Sequence, residues 1–306
     1  MLKFTLGRLL ASALTLAFLI PLTFFLLRFA PGGPFDGERA WPVEIQRNIE
    51  QKYGLHEPLW RQFTSWAYDV LRGDLHESFQ YLGKPVREII AETLPNSIHL
   101  GLWALLGAVV IGIGLGSLAA AYRGSWLDWS SSFLAMAGIS LPSYLVASLL
   151  ILCFSFWLDW LPPALMEDPG SLVLPAVTLG LRPMAIIARL TRASLLDTLA
   201  SDYIRTAYAK GLSRSMVVFK HALRNSLIPV VTLLGPLTAN LITGSFVVEI
   251  VFQIPGIGKY FVTAVLNRDY PLVMGVTLIY GMILIGSNFL VDLSYGWIDP
   301  RMRSER

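Results

Sequence analysis

Residues 205–229 read RTAYAKGLSRSMVVFKHALRNSLIP and carry Arg205, Lys210, Arg214, Lys220 and Arg224, with no acid among them. Apolar runs over about 172–190 and 226–248 flank the stretch. Each is near the ~20 residues that carry a helix across a bilayer. A basic, helix-forming segment between two such runs is a polar elbow between two membrane crossings. Composition agrees: the chain is 54% apolar and 15% charged, where soluble domains sit near ~25% charged. The fold class is therefore an all-α membrane protein. The basic residues have no aromatic interleaving of the kind that binds nucleic acid.

Working outward, six stretches are predicted to span: about 9–27, 98–121, 130–156, 172–190, 226–248 and 272–296. The first is read as a retained anchor. Its apolar run exceeds a signal core of ~7–15 residues, and Arg28-Phe29-Ala30-Pro31 offers no small-x-small cleavage site. Lysines and arginines of short loops mark the inner side. With the N-terminus inside, the inner segments hold Lys3, Arg8, Arg123, the series Arg189, Arg192, Arg205, Lys210, Arg214, Lys220 and Arg224, and Arg301, Arg303 and Arg306. The short outer loops hold only Lys259 and Arg268. The prediction is N-in and C-in, with the elbow on the cytoplasmic side.

Segment 30–97 is predicted to lie outside as a small helical domain. Pro42 starts a pattern of Ile45, Ile49 and Tyr53, closed by Gly54. Pro58 starts Leu59, Phe63, Trp66 and Val70, closed by Gly73. Pro85 starts a third helix through Ile89 to Leu94. Proline at a helix start and glycine past its end follow from proline's missing N–H and glycine's access to positive φ. Trp41, Trp60 and Trp66 are either interfacial anchors or a partner surface. In the elbow, Ser201 or Asp202 is expected to cap a helix with Ile204, Ala207 and Tyr208 on one face, ending at Lys210 and Gly211. Ser213 or Ser215 then caps a second helix bearing Met216, Phe219 and Leu223. Such an elbow either docks on a partner or lies on anionic lipid.

Chemistry-bearing constellations are sparse. The nearest approach to a phosphate-binding loop, Gly256-Ile257-Gly258-Lys259, has Gln253 where the first glycine belongs and Tyr260 where Ser or Thr belongs. His56, His76, His99 and His221 show no metal-ligand spacing, and Cys153 has no second cysteine to pair with. No HExxH, Ser/Lys pair or pair of buried acids supports intramembrane catalysis. Arg182 falls mid-span, where an arginine costs roughly 2.5–3.5 kcal/mol. It lines a pathway, forms an internal ion pair, or marks a displaced span end. Pro142, Pro175, Pro183 and Pro236 are candidate bending points. Gly101, Gly107, Gly112, Gly114 and Gly116 are candidate close-packing points.

A family resemblance rests on several motifs in order. Arg205-Thr206-Ala207, three residues and Gly211 resemble the E-A-A-x-x-x-G signature of ABC importer permease subunits, with Arg205 in place of the glutamate. Phe29-Ala30-Pro31-Gly32-Gly33-Pro34-Phe35, Asp202-Tyr203-Ile204-Arg205-Thr206-Ala207 with Ala209-Lys210-Gly211-Leu212, the 252–258 loop FQIPGIG, Asn267-Arg268-Asp269-Tyr270-Pro271 and the 292–301 ending DLSYGWIDPR resemble the peptide branch, and most resemble the B-type permease of oligopeptide importers. His221-Ala222-Leu223-Arg224 departs from the I-x-L-P of many members. The resemblance implies a type I ABC importer permease fold in a bacterial inner membrane: an anchor plus periplasmic segment over 1–93, a transmembrane core over 94–296 with a coupling loop at about 191–225, and a cytoplasmic tail over 297–306. It implies coupling to an ATPase through Ile204, Arg205, Thr206, Ala207, Tyr208, Lys210 and Gly211. Arg182 and Pro142 are then candidates for the pathway, and Phe252, Pro255, Gly256, Gly258 and Trp41 for contact with a binding protein. The implied partners are a paralogous C-type permease, two ATPase subunits that bind ATP and Mg, a periplasmic or lipid-anchored peptide-binding protein, and the bilayer. No cofactor is expected on this chain. The alternatives are dipeptide, nickel or glutathione cargo, or a self-contained secondary transporter. Against the last, no internal repeat is evident.

Overall fold

The computed structural model describes residues 2–35, 42–166, 168, 170–243 and 246–298. These residues form helices and connecting loops, with one isolated bridge between Glu77 and Pro85. The helices are α1 Leu2–Phe29, α2 Val43–Lys52, α3 Leu59–Leu71, α4 Val86–Ala121, α5 Trp126–Ser140, α6 Ser143–Leu150, α7 Val173–Leu199, α8 Asp202–Ala209, α9 Arg214–Met216, α10 Leu223–Ser226, α11 Ile228–Ile242, α12 Phe246–Val251, α13 Ile257–Leu266 and α14 Tyr270–Ile298. Two π-helical stretches, Ile151–Trp157 and Val217–Ala222, follow α6 and α9. Among the described residues, five helices are long and apolar enough to cross a membrane, or six if α5 and α6 with its π-helical extension form one bent span.

The span expected over 130–156 is bent, and the bend falls at Pro142, one of the candidate bending points. The chain turns by 112° between the two halves. Proline's ring disfavours the helical region for the residue before it, and Leu141 accordingly adopts φ −78, ψ 131. Pro142 follows at φ −62, ψ 141 and starts α6. Pro183 and Pro236 stay inside their helices. One correction concerns Pro85. The helix it starts does not stop near Leu94 but runs on as α4 through Pro95 to Ala121.

The chain divides into two compact units: Met1–Asn96 with Pro255–Ile285, and Ser97–Ile254 with Gly286–Arg306. In the first, α2 begins after Pro42 and α3 after Pro58, while Gly54 and Gly73 past their ends take φ of +57 and +83. Phe24 of α1 meets Phe63 of α3 edge-on, and Trp66 and Met274 complete that apolar cluster. A second cluster joins Val86, Ile89 and Ile90 to Ile257, Leu272, Val273 and Val276. Asp269, fully buried, pins the 78–80 turn: its carboxylate accepts from the Ser78 hydroxyl and from the backbone N–H groups of Phe79, Gln80 and Leu272. Burial pushes its pKa up, while these four donors pull it back down. Beside it, the Glu77 carboxylate raises the pKa of Lys52, which it meets at 2.9 Å.

In the second unit α7 is the central helix. Gly116 of α4 lies so close to it that a Cβ would sit 2.4 Å from the Ala188 carbonyl oxygen. Gly101 is equally confined, 2.6 Å from the Leu241 oxygen. Gly107 and Gly114 face open space, so the close-packing reading holds for Gly101, Gly112 and Gly116 and fails for those two. Arg192 of α7 grips the buried Asp128 of α5 with two bonds of 2.6 and 2.9 Å. The other carboxylate function of Asp128 is to close the preceding turn by accepting from Gly124 N–H.

Candidate functional site

The 201–226 elbow is built by local rules. Ser201 stands at the N-cap of α8 in extended conformation, although its hydroxyl donates back to the Thr198 carbonyl instead of capping forward. At the far end the Leu212 N–H reaches the Ala207 carbonyl, and the Gly211 N–H reaches that of Tyr208. This six-to-one and five-to-two pair is a Schellman stop, and it requires the left-handed φ of +80 that Gly211 adopts. Ser213 then caps α9 by accepting from the Met216 N–H.

Beneath the elbow, Ile204, Val217, Ala222 and Leu195 are fully buried, with Ala207, Val218, Ala120 and Ala121 around them. The Arg214 guanidinium donates to the carbonyl of Ala121 at the end of α4 and sits 5.7 Å from the Tyr122 ring centroid. The Asn225 amide donates to the Tyr203 hydroxyl at 3.0 Å. The elbow is therefore fastened to α4 and α7 by packing and by polar bonds, as one block.

Two expectations about its faces are corrected. Tyr208 does not share the inner face with Ile204 and Ala207; it is exposed. Met216 and Phe219 are also exposed, and Val217, Val218 and Ala222 turn inward. Past Met216 the helix is π-helical, and its wider turn puts residues five apart, such as Val217 and Ala222, over one another. A 3.6-residue period applied there selects the wrong face. The outward surface carries Tyr203, Arg205, Thr206, Tyr208, Lys210, Gly211, Met216, Phe219, Lys220 and Arg224. Asp202 is its acid, 3.4 Å from Arg205. Aromatic rings between cations make a surface suited to a protein groove with acidic walls. Ile204 and Ala207 support that surface from below and do not belong to it.

The other candidate residues are not gathered into one place. Arg182 is exposed on α7, so it forms no part of this chain's internal packing, and Pro142 is exposed at the α5–α6 bend. In the 252–258 loop Phe252, Gly256 and Gly258 are buried. Phe252 fills a core with Leu100, Leu174 and Val248 and cannot present itself to a partner. Pro255 is exposed, between exposed Gln253 and Lys259. Trp41 lies outside the described residues. Among the described residues no cluster of His, Cys, Asp and Glu has the geometry of a metal site. Reading the sequence did not single out Arg214 as a fastener, or the Asp128–Arg192 pair. Opposite charges 64 positions apart carry no signal until the helices are packed.

A family model for the binding-protein-dependent transport system inner membrane component matches residues 112–304, the region that includes the elbow and its supports. The chain belongs to this family. Similarity extends over its whole length. It is 44% identical to the dipeptide transport system permease protein DppB of Bacillus subtilis over 303 residues, 99% of this chain and 98% of the relative. It is 44% identical to the oligopeptide transport system permease protein OppB of Haemophilus influenzae, covering 99% of this chain and all of the relative. For OppB of Escherichia coli K12 the identity is 42%, with the same coverage. As a family member with several apolar helices, the chain is a multi-pass inner-membrane component of a transport system.

Proposed function

We propose that this chain is one permease subunit of an ATP-driven, binding-protein-dependent importer of peptides, and that it forms half of the translocation pathway by alternating access. In this reading it crosses the membrane six times, with both termini inside and the α2–α3 segment outside. A C-type permease completes the pathway, and a binding protein delivers cargo from outside. Two ATPase subunits bind ATP and Mg and carry out the hydrolysis; this chain binds neither. Oligopeptide cargo is favoured by the similarity to OppB proteins along the whole chain. Dipeptide cargo stands beside it on the equal identity to a DppB protein.

The observation that carries the proposal is the elbow. Its outward surface of tyrosines and cations is mounted on a rigid core, so force applied there moves α4 and α7 instead of bending a loop. The departure from the family signature, Arg205 for glutamate, adds a cation to that surface and calls for an acid across the contact. The test is co-purification with the neighbouring ATPase subunits, comparing wild type with Tyr208→Ala combined with Lys210→Glu. Both positions are exposed, so the fold survives. Loss of the ATPases from the variant is the expected result. A well-folded wild type that brings down no ATPase would sink the proposal and leave a self-contained transporter. Growth of a permease-deficient strain on dipeptides against tetrapeptides then separates the two cargo classes.

A further inference from the structure

The first compact unit contains a polar cavity of about 680 Å³ that the coupling mechanism does not use. That volume lies within the ~300–1,000 Å³ of small-molecule sites. Four basic and four acidic side chains line it, so its formal charges balance when histidine is counted as neutral. A ligand with a net charge of either sign gains little from such a wall. Most of these groups already have partners. Lys52 meets Glu77 at 2.9 Å, His76 meets Asp69 at 2.9 Å, Asp74 accepts from the His76 backbone N–H at 2.8 Å, and Arg72 donates to the Tyr68 hydroxyl. Arg87 is exposed. Arg28 is the half-buried cation left over, and Glu57 is the acid left over.

Arg28, in the last turn of α1, meets no carboxylate among the described residues. Its Nε donates to Gln62 Oε1 at 2.9 Å, and its carbon lies 3.5 Å above the centre of the Phe24 ring. One Nη1 hydrogen faces only the Met274 thioether, 3.8 Å away. A guanidinium held in this way keeps N–H donors open for a carboxylate. The Glu57 carboxylate has no hydrogen-bond or ion-pair partner among the described residues. It folds toward Gly54 in the cavity wall, where a Cβ would lie 3.3 Å from Glu57 Cδ. One side chain links the two ends. The Gln62 amide that accepts from Arg28 also donates to the Glu57 carbonyl at 2.8 Å. Gln62 is buried, and a further bond of 3.0 Å to the Leu55 carbonyl fixes it. Trp66, Phe79, Tyr270 and Met274, all buried, supply the apolar part of the wall. A free cation and a free anion set near one another, with aromatic surface in the same wall, match a molecule that carries both charges on an apolar body.

We infer that the cavity binds a short zwitterionic peptide, with its carboxylate on the Arg28 guanidinium and its ammonium on Glu57. The choice of a peptide among zwitterions rests on the importer reading; the pairing of the two charged ends does not. The site uses no residue of the elbow.

The test is calorimetric titration of the full chain in mild detergent with three probes: trialanine, N-acetyl-trialanine, which lacks the ammonium, and trialanine amide, which lacks the carboxylate. Trialanine is expected to bind, and each blocked form to bind more weakly. Arg28→Gln should weaken trialanine by about tenfold, the loss typical of a charge-assisted bond, and should bind trialanine amide as wild type does. Glu57→Gln, at an exposed position, should weaken trialanine by about threefold and should bind the N-acetyl form as wild type does. These matched losses assign the binding to this cavity and not to another part of the chain. Thermal unfolding of each variant shows whether it is folded, and if Arg28→Gln does not fold, Glu57→Gln decides. A folded wild type that binds no trialanine overturns the inference, as does a folded variant that still discriminates like wild type. Trialanine amide binding as tightly as trialanine would show a site for cations alone, and the N-acetyl form doing so would show a site for anions alone; either overturns it. No ATPase is present in these titrations, so the importer reading and this site can fail separately.

Discussion

Asp269 shows how much one side chain can hold in this protein. Its two oxygens serve four donors spread over a turn nearly two hundred positions away and over the start of α14. Asp269→Asn would turn an amide N–H₂ toward those donors and leave buried groups unmatched. Thermal unfolding in detergent should report a loss of about 3 kcal/mol, as expected when buried partners go unsatisfied. Two glycines make a sharper pair. Gly116→Ala drives a Cβ to 2.4 Å from a backbone oxygen, so α4 and α7 must separate, at a cost of about 1–3 kcal/mol. Gly114→Ala, two residues earlier, meets nothing and should be neutral or stabilising by up to about 1 kcal/mol, because alanine is the better helix former. Equal melting temperatures for the two variants would refute this packing argument. The sequence offered five glycines in α4 as equals, and only the facing helix distinguishes them.

At the scale of elements, the elbow is the part that local rules explain best. The stop at Gly211 was legible in the sequence, and each cap was narrowed to two residues, Ser201 or Asp202 and Ser213 or Ser215, of which the structure selects Ser201 and Ser213. Its inner face was legible only in part: Ile204 and Ala207 are buried but Tyr208 is exposed, and past α9 a π-helical stretch changes the period, which no residue type announces. Fastening the elbow to α4 depends on Arg214. Arg214→Ala removes the bond to the Ala121 carbonyl and the contact with Tyr122. In the assembled, reconstituted transporter the expected outcome is ATP hydrolysis near normal with peptide uptake reduced severalfold, read as the ratio of the two rates. A parallel fall in both rates, at unchanged ratio, would mean that Arg214 acts on assembly instead. The bend at Leu141–Pro142 is likewise a local effect. Proline restricts the residue before it, yet Pro183 and Pro236 sit within continuous helices, so the residue type alone does not tell a break from a kink.

For the whole molecule, the proposed importer predicts a specific dependence on charge at the ATPase contact. Arg205→Glu restores the family's usual residue but reverses the local charge. If the ATPase subunits of this system carry an acid opposite Arg205, the change should weaken co-purification, and a lysine introduced at that acid should restore it. Rescue failing in an otherwise folded complex would place Arg205 outside the contact.

Hydrophobic run lengths, the basic residues of the 205–224 stretch, and the proline and glycine punctuation around α2 and α3 depend on local composition and on the solvent each stretch meets. These features let the sequence by itself determine a helical membrane protein, the approximate places of its apolar helices and the place of the basic elbow between two of them. The facts that depend on pairs distant in the chain were decided only by the tertiary structure: which glycines touch a neighbour, that Phe252 is core and Pro255 surface, that Arg192 meets Asp128, and that Arg28 donates to Gln62. The physical reason is that burial and pairing are properties of two packed surfaces, and a one-dimensional pattern specifies one surface at a time.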